Sequence, residues 1–187
     1  MLTHKGTIQI ESDHLVLRRF RVSDVQEAFS TWMSDPEVSL FMRWQPHRDL
    51  QETRAALEGW ISQYSNPAFY QWAITLKETG ALLGAIGLFT VSEADRCADV
   101  GYCIGQRYWG QGHTSEALSA VIYFAFSQVG YNRVEAYHAV DNPGSGRVME
   151  KAGMSYEGTA RQKYRSNRGY EDVNMYAIIK KDLRNQL

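Results

Sequence analysis

The stretch Ile104-Gly105-Gln106-Arg107-Tyr108-Trp109-Gly110-Gln111-Gly112-His113-Thr114-Ser115-Glu116-Ala117 holds residues whose types and spacing suit chemistry on an anionic ligand. A β-like run, Val100 to Ile104, enters a turn marked by Gly110 and Gly112, and a helical pattern leaves it near Thr114. Glycine lets a backbone come close to a ligand, and a helix start presents free N–H groups and the positive end of its dipole. Together these can cradle a phosphate. A plain strand-to-helix turn would look the same. A second element, Asn142-Pro143-Gly144-Ser145 followed by Val148-Met149-Glu150-Lys151-Ala152-Gly153-Met154, therefore carries weight.

The elements that must position these residues follow from periodicity and punctuation. Leu15 to Phe20 alternates like a first strand, and Val22 to Met33 places Val25, Ala28, Phe29 and Trp32 at helical spacing until Asp35-Pro36 ends it. Leu50 to Tyr64 repeats the helical pattern. Phe69 to Leu76 and Leu82 to Val91 then read as a hairpin around Lys77-Glu78-Thr79-Gly80. Ala98 to Ile104 is a strand into the glycine turn, and Thr114 to about Val129 a helix. Val134 to Val140 is a strand, Ser145 to Ala152 a helix closed by a left-handed Gly153, and Tyr156 to Tyr164 with Val173 to Ile179 a closing pair. No repeat or linker interrupts the chain, so the expectation is one mixed α/β domain over residues 1–187.

Composition narrows the classes. A chain of 187 residues with 44% apolar and 22% charged residues is ordinary for a globular domain with one core. The net charge of −1 argues against a general nucleic-acid surface. Met1 to Ile10 lacks a signal-peptide core, and the apolar run Ala120 to Phe126 is far short of the roughly 20 residues that span a bilayer. Cys97 and Cys103 lack metal-ligand spacing and read as reduced thiols. The expectation is a cytoplasmic protein with no membrane association and no metal.

Order and spacing across the chain resemble the GCN5-related N-acetyltransferases, the GNAT superfamily, and within it the RimJ/RimL type that acetylates ribosomal-protein N-termini. The likeness runs from Leu15-Val16-Leu17-Arg18-Arg19-Phe20 through Gly101-Tyr102, the Trp-Gly-Gln-Gly turn and the Asn-x-x-Ser segment to Tyr170-Glu171-Asp172-Val173-Asn174-Met175-Tyr176-Ala177. It implies a mostly antiparallel twisted sheet of six to seven strands flanked by about four helices. It also implies acetyl-CoA as co-substrate and an amine acceptor. A protein N-terminus is the first choice, a polyamine, amino sugar or antibiotic the alternative, and a non-catalytic CoA-binding sensor the alternative of another class. Monomer and homodimer both stay open.

The resemblance also suggests roles. Gly110, Gln111, Gly112, His113, Thr114 and Ser115 would meet the pyrophosphate, Tyr102, Cys103 and Ile104 would pair with the pantetheine arm, and Asn142 would bond its side. Ser145 is the candidate general acid, with a helix N-cap as its rival reading. Many superfamily members place a tyrosine four residues later, where this chain has Met149. RimL-like enzymes carry a glutamate base where this chain has Tyr164, leaving Asp99 and Glu93 as substitutes by fold analogy. Without a strong base, a free α-amine is a better acceptor than lysine, because its pKa is roughly 7.7–8.0 against about 10.4. The basic run Arg161, Lys163, Arg165 and Arg168 reads either as a solvated face or as a steering surface.

Overall fold

The computed structural model describes residues 1–183. Its centre is an eight-stranded sheet: β1 (Ile10–Glu11), β2 (Leu15–Arg18), β3 (Tyr70–Leu76), β4 (Leu82–Ser92), β5 (Cys97–Ile104), β6 (Arg133–Ala139), β7 (Ser155–Ser166) and β8 (Gly169–Ile179). The spatial order is β1-β2-β3-β4-β5-β6-β8-β7, and β5 with β6 is the one parallel pair. The helices are α1 (Val25–Ala28), α2 (Pro36–Ser39), α3 (Leu50–Ser62), α4 (His113–Phe124), α5 (Pro143–Lys151) and α6 (Lys180–Leu183).

Burial explains the layering. Tyr70 to Thr75 and Leu82 to Leu88 are buried without alternation, as expected of central strands covered on both faces. One core joins Leu15, Leu17, Trp72, Ile86 and Val100 to Leu118, Val121 and Ile122 of α4. A second core, on the other face, joins Phe20, Ala28, Trp32 and Leu57 to Ala73 and Ala85.

Five elements differ from the sequence expectation: β1, α2, α6 and the helices expected over 22–33 and 114–129. The eighth strand is β1, whose two residues are too few to show a period. The helix expected over 22–33 is a 3₁₀ turn at Val22–Asp24, then α1, then a π-turn at Phe29–Met33. Asp35-Pro36 does end it, but it also starts α2: the Asp35 carboxylate accepts from Glu37 N at 2.9 Å and proline occupies the first turn. Likewise, the helix of residues 114–129 is α up to Phe124 and a π-turn over Ala125–Val129.

Candidate active site

β5 and β6 pair only at Cys97, Ala98 and Asp99. Past Asp99 the two strands part, and Val100–Ile104 keeps an edge without a strand partner on that side. An unpaired edge of this kind can hydrogen-bond an extended ligand as an added strand. Two cavities adjoin here, sharing Phe41, Met42, Tyr102, Cys103, Asn142 and Ser145 as common lining.

The first cavity, of about 470 Å³, is lined by Gly110, Gly112, Thr114 and Ser115 of the glycine turn and α4, and by Gly144, Arg147 and Lys151 of α5. Gly110 and Gly112 adopt φ of 75° and 89°, the left-handed region, and Gly112 is the N-cap of α4. An added Cβ at either meets nothing within 4 Å, so the glycines are needed for backbone conformation and leave open space beside the turn. The Glu116 N–H bonds Gly112 O at 3.1 Å, leaving the preceding N–H groups of the turn without intrahelical partners. These groups line the cavity with Arg147, Lys151 and one carboxylate, Glu37, an arrangement that can take an anion such as the pyrophosphate of a CoA ester. Thr114 is buried within the cradle without displacing the turn.

The second cavity, of about 550 Å³, lies on the side of α1 and α3 and contains Asp99 as its only carboxylate. Burial raises the Asp99 pKa from 3.8 to about 7, aided by the nearby charge of Glu135 and opposed by the Val100 N–H and Lys163. Asp99 Oδ1 is buried and has no hydrogen-bond partner among the described residues. A carboxyl group near neutrality can take up and release protons at cellular pH.

Ser145 stands on the wall between the cavities. Asn142, not Ser145, is the N-cap of α5, its Oδ1 accepting from Ser145 N at 3.4 Å. The Ser145 hydroxyl lies 2.9 Å from the Tyr102 hydroxyl, which also donates to Ser145 O at 3.0 Å. Burial pushes the Tyr102 phenol well above its ordinary pKa, so it stays neutral. Met149 is buried and carries no donor at this wall. Cys103, also on the wall, has its thiol pushed up to about 12 by burial and is a poor nucleophile.

The remaining sequence candidates separate. Ile104 lines the cradle cavity, whereas Gln111 and His113 line neither cavity. The Gln111 amide turns back to donate to Arg107 O at 2.8 Å. Glu93 also lies outside both cavities: its exposed carboxylate is 2.7 Å from His4 Nε2, so it is not brought to Ser145. The reason is its place in the turn after β4, beyond the paired strands. Tyr164 lines the second cavity but is no base, since its hydroxyl donates to Phe41 O at 2.9 Å and burial raises its pKa to about 12. Of the basic run, Lys163 sits 5.7 Å from the Tyr137 ring centroid, while Arg168 is 2.6 Å from Asp141.

Sequence reasoning missed the Tyr102 hydroxyl, having considered only its backbone. The signal was strand parity: Tyr102 faces the α5 side, opposite to Asp99 and Gly101. It also missed Arg43, whose guanidinium lies 4.5 Å from the Tyr164 ring centroid at the second cavity.

Comparisons with known proteins agree with this architecture. The chain matches the acetyltransferase (GNAT) domain family over residues 14–155. It is 29% identical to the uncharacterised N-acetyltransferase YoaA of Bacillus subtilis, covering 91% of this chain and 96% of that one. It is 30% identical to the ribosomal-protein-serine acetyltransferase of Escherichia coli, covering 69% and 71%. A RimL ribosomal α-N-protein acetyltransferase solved in complex with coenzyme A superposes with a TM-score of 0.80 at 24% identity, over 92% of this chain and 98% of that one. With a glycine-turn cradle beside a parted strand pair and a family match over most of its length, the chain belongs to the GNAT family and is an N-acetyltransferase.

Proposed function

We propose that the enzyme transfers the acetyl group of acetyl-CoA directly to the free α-amine of a protein N-terminus, in the manner of the ribosomal-protein acetyltransferases among its relatives. The observation behind this reading is the shared wall: a cradle cavity and a carboxylate-bearing cavity adjoin at Ser145 and Tyr102. Such an arrangement lets donor and acceptor be held together, which direct transfer requires.

Acetyl-CoA, when bound, supplies an activated thioester. The N–H groups before α4, with Arg147 and Lys151, would hold its pyrophosphate, and the free edge of Tyr102–Ile104 would hold its pantetheine arm. Asp99 would accept the proton released by the attacking amine. Its pKa near 7 lies close to that of a free α-amine, roughly 7.7–8.0, and far from that of lysine at about 10.4. This reading gives the base role to Asp99, one of the two substitutes the sequence offered. Ser145 Oγ would hold the proton taken by the departing sulfur, with the Tyr102 hydroxyl fixing its orientation.

The test is thiol release from acetyl-CoA with matched peptides, one carrying a free N-terminus, the other a blocked N-terminus and a lysine, followed by intact-mass measurement. The free N-terminus is expected to gain one acetyl group at a rate at least ~10-fold higher, given the amine pKa difference. Equal or faster reaction of the lysine peptide would overturn the acceptor assignment.

A further inference from the structure

We infer that the second cavity is a side-chain pocket, and that the acceptor carries a large apolar group, aromatic by preference, beside its amine. This rests on the reading of that cavity as the acceptor side.

The walls point to aromatic contact. Trp32, Trp44, Trp60, Phe41, Phe89 and Tyr137 all line the cavity. Gly87 and Gly101 face each other across β4 and β5. A Cβ on Gly87 would lie 2.8 Å from Phe89 Cζ, and one on Gly101 would lie 3.6 Å from Phe89 Cε2. The missing side chains allow the Phe89 ring to lie over the strand pair, where it is nevertheless 50% exposed. Gln71 Oε1 shares the space over Gly87, and a half-exposed ring on a cavity wall offers an aromatic contact surface to another ring.

The polar groups narrow the ligand further. Trp32 contributes to the wall while fully buried, so it backs the cavity rather than binding through its indole N–H. Trp32 sits in the π-turn Phe29–Met33, and irregular helical turns of this kind concentrate at functional sites. Among the described residues Asp99 is the only carboxylate in the lining, with the charges of Glu135 and Lys163 near it, and Arg43 adds a positive charge elsewhere on the wall. Polyamines and aminoglycosides carry several ammonium groups and would find one anion. A serine or alanine side chain would leave most of a 550 Å³ cavity without contacts. An α-amine with an aromatic side chain satisfies both features.

The experiment is a rate comparison with the wild-type enzyme and acetyl-CoA. The acceptors are peptides identical except for a first residue of Ser, Ala, Met, Phe or Trp, together with phenylalaninamide and spermidine. Phe and Trp peptides are expected to exceed the Ser peptide in kcat/KM by about 10- to 100-fold, the range expected for burying one aromatic side chain. Phenylalaninamide matching the Phe peptide identifies a free amine as the occupant, and a peptide advantage identifies a protein N-terminus. Both support the pocket. Ala56 lines the cavity from α3, and Ala56→Phe should shrink the Phe-to-Ser ratio toward one. Binding of the Phe peptide should also shift the fluorescence of the cavity tryptophans in the wild type, a readout that needs no variant. Faster reaction of the Ser peptide or of spermidine overturns the pocket while leaving acetyl transfer intact. Absence of thiol release with every amine overturns acetyl transfer itself, and the pocket with it.

Discussion

The Tyr102 hydroxyl lies 2.9 Å from Ser145 Oγ and 3.0 Å from Ser145 O, joining the parted strand β5 to the first turn of α5. A hydroxyl bonded to both the carbonyl and the side-chain oxygen of one serine fixes that serine's rotamer. It does so from the helix side of the sheet, while Asp99 of the same strand serves the other cavity. One strand thus bears on both proton transfers of the proposed reaction.

Ser145→Ala is expected to lower turnover about 10²-fold with coenzyme A affinity little changed, because the lost group acts on the leaving sulfur. Tyr102→Phe keeps the ring and removes one hydrogen bond, so a smaller loss of about 3- to 10-fold is expected. The double variant should be no slower than Ser145→Ala alone, since both changes act through one hydroxyl. Steady-state kinetics and calorimetry check this. Unchanged turnover in Ser145→Ala would remove the serine from the chemistry.

The proposed role of Asp99 makes a pH prediction. With its carboxylate as the proton acceptor, kcat/KM should rise with pH through about 7 and then level. In Asp99→Asn the rate should fall about 10²-fold and the rise should move to the α-amine's own range, roughly 7.7–8.0. Stability should move in the opposite sense. Folding raises this pKa from 3.8 to about 7, so the folded protein binds the proton more tightly and loses stability as pH rises through that window. Asp99→Asn should therefore be more stable than wild type at about pH 8, with the difference vanishing near the unfolded pKa of about 3.9. Denaturant melts at the two pH values check the sign.

Gly112→Ala places a Cβ on a residue at φ 89°. The left-handed conformation should cost roughly 1–2 kcal/mol, lowering the melting temperature by about 2–8 °C. Rebuilding the N-cap to relieve that strain would re-aim the N–H groups before α4, so coenzyme A affinity should fall about tenfold or more. Calorimetry showing unchanged affinity would separate the turn from the cradle.

Much of the framework was legible in the chain because its signals are local. The Gly110 and Gly112 turn, Asn142-Pro143 at the start of α5 and Gly153 at its end are each decided by the torsional preferences of a few neighbouring residues. The runs of β3 and β4 likewise announced a hairpin of strands, whose burial on both faces came from the packing. The two-residue β1 and the π-turns at Phe29–Met33 and Ala125–Val129 escaped, because two residues show no period and a π-turn keeps a helical pattern.

The sequence by itself determined the order of the longer elements, the glycine turn and the serine after Asn142. Only the tertiary structure decided which of Asp99 and Glu93 meets the serine's cavity, and that Tyr102 holds that serine. Only it brought Trp32, Trp44, Trp60 and Phe89 around one space. The reason is physical: Asp99 gains its raised pKa from burial among residues distant in the chain, and a cavity exists only where long-range strand pairing stops. Local torsions announce a turn or a cap. Desolvation and empty volume belong to the packed whole.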